Sequence, residues 1–302
     1  MRTISVTDDM GRELRLSAPP ERIVSLVPSE TYNLVRLGVG PRLVGRTRYC
    51  TEPASEVEAI PEVGGTKDVD VAAVVALRPD VVVANREENT KQAVLELEAA
   101  GLKVFVAFPR SVVAGAGQIA RLARLLGRHE ESKAVVATAY GLLRAAEDFA
   151  RSIEAPARAF VPIWMDPLMT ANHDTFLSDV LRLCGATNVF TGRDRRYPLA
   201  ADIGRAAALD DDAVKGRDTR YPRITLDEVR ALDPEVILLP DEPFAFGPKE
   251  VALFGDLGVT AARNGRIHLC SGKDLLWPGL RTLEGLEALR MVIRDGAAPP
   301  AR

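Results

Sequence analysis

The chain has 302 residues, of which 47% are hydrophobic, 27% charged and 5% aromatic, a make-up that excludes a disordered polypeptide and fits a packed globule. At this length a single core stops growing, so two domains of roughly 100–150 residues are expected. Thirty-nine Lys and Arg against 42 Asp and Glu leave a net charge of -3, which lacks the basic footprint of a general nucleic-acid binder.

In chain order, short apolar runs bounded by Pro, Gly or Asp predict buried strands at residues 22–27, 79–84, 103–107, 157–164, 234–239 and 266–269. Apolar residues at three- and four-residue spacing predict helices at 31–37, 71–77, 90–100, 112–126, 176–184, 226–232 and 280–293. Strands alternating with helices mean an α/β chain, and strands that are nearly all apolar mean parallel sheets covered on both faces. Ala76-Leu-Arg-Pro-Asp-Val-Val-Val83 recurs as Ala231-Leu-Asp-Pro-Glu-Val-Ile-Leu238 at an offset of 155 residues. The form is a helix stopped before Pro, which then launches a strand. It predicts two similar lobes, 1–127 and 156–302. Between them, 128–155 is rich in Ala, Glu, Lys and Arg and predicts one long helix. Residues 192–222, which hold Arg193-Asp-Arg-Arg-Tyr-Pro198 and Arg217-Asp-Thr-Arg-Tyr-Pro222, predict an exposed insertion. Its Asp210–Asp212 run is expected to be solvated rather than to bind a cation.

Cys50, Cys184 and Cys270 are too few and too far apart for a disulfide scaffold, and no CxxC pair is present. No run approaches the ~20 apolar residues of a membrane span, so no membrane insertion is expected. Residues 1–9 carry no export signal. As written this predicts a cytoplasmic protein; a trimmed mature chain would be periplasmic or on the cell surface.

Several stretches together resemble a known family. Thr7-Asp-Asp-Met-Gly-Arg-Glu-Leu14, Pro19-Pro-Glu-Arg-Ile-Val-Ser-Leu-Val-Pro-Ser-Glu30, Leu37-Gly-Val39, Val63-Gly-Gly-Thr66 and Leu77-Arg-Pro-Asp-Val81 look like the vitamin B12 and iron-siderophore class of ABC-transporter substrate-binding proteins, the helical-backbone metal receptors. Thr175-Phe176, Cys184-Gly185, Asn188-Val-Phe190 and Leu232-Asp-Pro-Glu-Val236 follow in the family's order. The resemblance covers nearly the whole chain. It implies two α/β lobes with parallel sheets joined by one long helix, and a metal chelate such as cobalamin, haem or a ferric siderophore held in the cleft between them. It implies binding rather than catalysis, with no intrinsic cofactor beyond a bound chelate.

In open parallel sheets ligands sit beyond the carboxyl ends of the strands. That rule selects Ser29, Glu30, Arg48, Tyr49, Thr66, Lys67, Asn85, Arg86, Arg110, Trp164, Asp241, Trp277 and Arg281 as ligand-binding candidates. Trp164 and Trp277, the chain's two indoles, both follow second-lobe strands; each can cover a ligand face or pack in a core. Ser29 either helps a helix N-terminus meet an anion or caps that helix. The arginines suit ligand carboxylates or phosphates. Cys50, His268 and Cys270 are the soft candidates for a metal, with packing as the competing role.

The family's cobalamin binder carries tryptophans where Thr66 and Asn85 stand here, and those two can hydrogen-bond but not stack. Of the acidic residues with which relatives dock on an ABC permease, the second-lobe one is present as Asp227, while the first-lobe place holds Ala72, near Asp70. Two other readings stay open. One is an enzyme with Glu87, Glu88, Asp241 or Glu242 as acid or base and Cys50 as nucleophile, although no nucleophile–base spacing supports it. The other is a ligand-sensing module that reports to a partner protein.

Overall fold

A computed structural model describes residues 3–295. Within that range the chain divides into two compact units, one of residues 3–143 and 277–283, the other of 144–276 and 284–295.

The first unit begins with β1 (Ile4–Thr7) and β2 (Glu13–Leu16), an antiparallel hairpin. In its turn, Asp8 accepts the backbone N–H of Met10 and Arg12 and pairs with the Arg12 guanidinium. Then come β3 (Ile23–Ser25), α1 (Pro28–Arg36), β4 (Leu43–Arg46), α2 (Ala54–Val57), α3 (Val71–Ala76), β5 (Val81–Asn85), α4 (Lys91–Ala99), β6 (Val104–Ala107), α5 (Val112–Leu125) and α6 (Lys133–Ser152). The sheet is parallel with order β4-β3-β5-β6. Every residue of β3, β5 and β6 is buried, as expected where helices cover both faces. Val24, Leu26, Val74, Val82, Leu97 and Val104 form its core.

The second unit has β7 (Ala157–Phe160), a two-residue hairpin of β8 (Trp164–Met165) and β9 (Leu168–Met169), α7 (Phe176–Leu183), β10 (Ala186–Asn188), α8 (Asp211–Val214), α9 (Leu226–Leu232), β11 (Val236–Pro240), α10 (Pro248–Gly255), α11 (Thr260–Arg263), β12 (Ile267–Cys270), α12 (Gly272–Leu276) and α13 (Leu280–Asp295). Its parallel sheet runs β10-β7-β11-β12, the same order by rank along the chain as in the first unit. Phe160 packs on Phe190 and Phe254 at centroid distances of 5.4 and 5.7 Å.

The internal repeat runs deeper than its sequence. Asp70 and Thr225, 155 residues apart, cap α3 and α9 by accepting the N–H of Ala73 and Glu228. Arg78 and Asp233, again 155 apart, are the two non-glycine residues with positive φ among the described residues, at 46° and 41°. Each ends its helix in the left-handed region just before a proline. Asp80 accepts the N–H of Arg22 at 2.9 Å and Glu235 that of Arg158 at 2.9 Å. The two arginine side chains then close on the carbonyls of Leu77 and Leu232.

Three expectations need correction. The long helix starts at Lys133 and spans 20 residues, about 30 Å at 1.5 Å per residue, because α5 ends at Leu125, Gly127 follows with φ +65° and a turn intervenes. The unit boundary lies inside that helix, and residues 277–283 return to the first unit. The predicted strand 157–164 breaks after Phe160, and Trp164 starts the separate hairpin. The region 192–222 is exposed over most of its length and is held around Asp202, whose buried carboxylate takes the Arg193 guanidinium at 3.2 Å and the backbone N–H of Arg196 and Arg223. Asp210 in the acidic run caps α8 through Ala213 N–H.

Candidate functional site

The strands of each parallel sheet release their loops at one edge, and most of the selected side chains lie there. In the first unit β4 leads into Arg48 and Tyr49. Both are exposed, with the Arg48 guanidinium 5.0 Å from the Tyr49 ring centroid and 2.8 Å from Asp68. Asp68 belongs to the turn opened by Gly64 and Gly65. Gly64 has φ +88° and no room for a Cβ beside the Asp68 carbonyl, so the turn requires a glycine there, while Gly65 lets the Arg48 and Asp68 side chains close over the backbone. Thr66 is buried and gives its carbonyl to Asn89 Nδ2 at 3.0 Å. The same Asn89 amide reaches Leu26 O, and its oxygen takes Asn85 N–H. Asn89 therefore ties the loops after β3 and β5 to the glycine turn, a role that only the folded chain reveals.

Asn85 is buried and accepts Glu87 N–H at 2.8 Å, while exposed Lys67 bonds the Glu87 carbonyl. Beyond β5 and β6, Arg86 and Arg110 share one aromatic seat: their guanidinium carbons lie 4.6 and 5.6 Å from the Phe108 centroid. Both arginines are exposed. Arg48, Lys67, Arg86 and Arg110 bring four cations to this edge, with Arg48 paired to Asp68 and Lys67 beside Glu88; guanidinium groups of this kind suit anionic groups on a ligand.

In the second unit Trp164 is 42% exposed. Its indole N–H donates to Asp166 O at 3.1 Å, and Phe244 meets it edge-on at 5.7 Å and 71°. Phe246 in turn meets Phe244 at 4.8 Å. The result is an open indole braced from behind, at the level where β7 and β11 end. Asp241 is exposed and accepts Gly272 N–H at 2.7 Å, which fixes the loop into α12.

Other candidates fall elsewhere. Trp277 is 7% exposed, packs against the Tyr32 ring at 6.5 Å, and clusters with the first unit rather than the second. Its neighbour Gly279, at φ +105°, has no room for a Cβ beside the Asn33 amide. Arg281 follows in the first turn of α13 and is half-buried. Ser29 is buried inside the first turn of α1, whose cap position is Val27 with no side-chain bond; it is not the cap. Glu30 is fully buried and faces the protein interior.

The soft donors do not assemble. Among the described residues no group of three or more His, Cys, Asp or Glu is placed to hold a metal. Cys50 is buried beside Thr47 at 3.1 Å, and burial pushes its thiol up, which disfavours a nucleophilic thiolate. Burial and the charges of Asp241 and Asp274 raise the Cys270 thiol, and burial lowers the His268 imidazole.

A family model described as periplasmic binding protein matches residues 23–270. The chain belongs to the periplasmic binding protein family. Its role is to bind a substrate, not to transform one. It is 26% identical over 228 residues to the vitamin B12-binding protein of Yersinia pestis (strain Pestoides F), covering 72% of this chain and 69% of the relative. The periplasmic vitamin B12 binding protein BtuF of Vibrio cholerae superposes with a TM-score of 0.74 at 21% identity, covering 92% of this chain and 98% of the other. The apo periplasmic heme-binding protein RhuT of Roseiflexus sp. RS-1 gives 0.72 at 23%, covering 91% and 98%. BtuF and RhuT are named as periplasmic, and the cytoplasmic expectation finds no support among these relatives. No helix among the described residues is long and apolar enough to cross a membrane.

Proposed function

We propose that this chain is the extracytoplasmic substrate-binding component of an ABC importer and that it carries a planar, anionic metal chelate, of the haem kind in preference to cobalamin. The observation that carries this reading is the Trp164 indole, open on one side and braced by Phe244 at the strand ends of the second unit. A flat conjugated ring system matches such a surface. In the first unit, taken by itself, Arg86 and Arg110 seated on Phe108 are guanidinium groups of the kind that bind carboxylates. Thr66 and Asn85 present no aromatic face, which favours haem over cobalamin. The names of the relatives, one a B12 binder and another a heme binder, support the ligand class.

A permease partner accords with Asp227 in the first turn of α9. Its side chain is 88% exposed and pairs with Arg230 at 2.5 Å. Ala72 at the corresponding place in α3 leaves the second unit as the better-equipped docking side.

Titration of the purified chain with hemin, cyanocobalamin and a ferric siderophore, followed by quenching of tryptophan fluorescence, tests the reading. Saturable quenching by hemin is expected, with the ligand recovered chemically unchanged. Absence of saturable binding by all three would overturn the ligand class.

A further inference from the structure

Glu30, in the first turn of α1, and Gln118, in the middle of α5, have no solvent exposure. The Gln118 Nε2–H donates to Glu30 Oε2 at 2.5 Å. The other oxygen of each side chain, Glu30 Oε1 and Gln118 Oε1, has no hydrogen-bond partner. Buried polar atoms are nearly always satisfied, so two orphans on one bonded pair call for a physical cause.

The chemistry of the two groups supplies it. A carboxylate only accepts, and against a primary amide it can complete one of the two bonds that the pair could make. A carboxylic acid and a primary amide are complementary, each with one donor and one acceptor on the shared side. One proton on Glu30 therefore satisfies both orphans, as Oε1–H donates to Gln118 Oε1. Turning the Gln118 amide over leaves the conclusion unchanged, because one oxygen would still meet another and would still need a proton between them.

We propose that Glu30 is a buried proton-binding site: in the folded protein it is a neutral carboxylic acid in a reciprocal pair with Gln118, and releasing that proton loosens the first unit. The surroundings agree. Burial, the largest influence, pushes the Glu30 carboxyl up to about 7 from an ordinary 4.5, and the charge of Asp9 adds to the rise. Hydrogen bonding from Gln118, Asn33 and Asn85 opposes it. These three facing groups are neutral amides. Asp9 itself is held by Arg121 at 2.6 Å and by Phe108 N–H at 2.7 Å. One turn along α1 from Glu30, Asn33 donates to Pro278 O at 2.9 Å and accepts Leu280 N–H at 3.0 Å. Ionisation would thus place a charge where α1, α5, the end of β5 and the 277–283 segment are tied together.

The sign follows from linkage. Between pH 4.5 and about 7 the folded chain holds a proton that the unfolded chain lacks. This contribution is fully present below pH 4.5. It falls by about tenfold in the folding equilibrium constant per pH unit across that window, and it is gone above it.

The test uses the whole chain. Side-chain carboxyl 13C NMR of glutamate-labelled protein should show a carboxyl titrating near 7 that Glu30→Gln removes and Glu88→Gln does not; the control is needed because Glu88 is also raised, by burial. Urea unfolding from pH 4.5 to 8 should show the wild type losing stability by about tenfold per pH unit relative to Glu30→Gln, whose amide can still pair reciprocally with Gln118. If no such carboxyl exists in the Glu88→Gln protein, Glu30 is ionised in the folded chain and the proposal fails. Superimposable pH profiles for wild type and Glu30→Gln overturn it equally. Should Glu30→Gln not fold, the carbon titration of the Glu88→Gln protein decides alone.

Discussion

Trp164 combines exposure with a fixed edge: Phe244 and Asp166 hold the ring while the residue as a whole stays 42% exposed. Trp164→Ala should weaken hemin binding by about tenfold or more, while Trp164→Phe keeps part of the stacking surface and should lose less; calorimetric titration of both variants separates the two outcomes. Its counterpart in the sequence, Trp277, shows what residue patterns leave out. Pro278 and Gly279 beside it read as an open loop, yet Gly279 is needed because the Asn33 amide occupies the space of a side chain. Arg86 and Arg110 were legible as cations following strands. Their shared seat on Phe108 was not, because it depends on β5 and β6 being neighbours in the sheet. Glu30, selected as a ligand candidate, is fully buried, because position in the first turn of a helix does not say which way the side chain faces.

At the scale of elements, the long apolar strands β5, β6 and β11 and the amphipathic α5 and α9 were readable from periodicity alone. Strands β4, β8, β9 and β10 were not: β4 is Leu-Val-Gly-Arg, broken by Gly45 and Arg46, and the other three have only two or three residues, so a partner strand fixes them. The repeat was legible as a helix-Pro-strand signature, and the structure adds its left-handed helix ends and arginine ties. The region 192–222 reads as a polar insertion, but its order comes from one buried carboxylate. Asp202 has a fully buried side chain, and removing it would leave Arg193, itself 14% exposed, without that partner. Asp202→Ala should therefore destabilise the second unit by about 3 kcal/mol, measured by urea unfolding. Thr225→Ala, which removes the capping box at the start of α9, should cost about 1 kcal/mol in the same assay.

For the molecule as a whole, a binding role makes a thermodynamic demand. A ligand that binds only the folded chain, present at 100 times its dissociation constant, should stabilise it by about 2.7 kcal/mol. Differential scanning calorimetry should show the melting temperature rising steadily with the logarithm of hemin concentration, and an unchanged melting temperature would count against the proposed cargo. The first unit draws on two distant stretches of chain, because Trp277 packs on Tyr32 and Asn33 grips Pro278 and Leu280. A ribosome delivers residues 3–143 long before that late stretch emerges. The amino-terminal part of the nascent polypeptide must therefore wait, unfinished, for more than a hundred further residues, and a product cut short before Trp277 lacks a piece of its own interior.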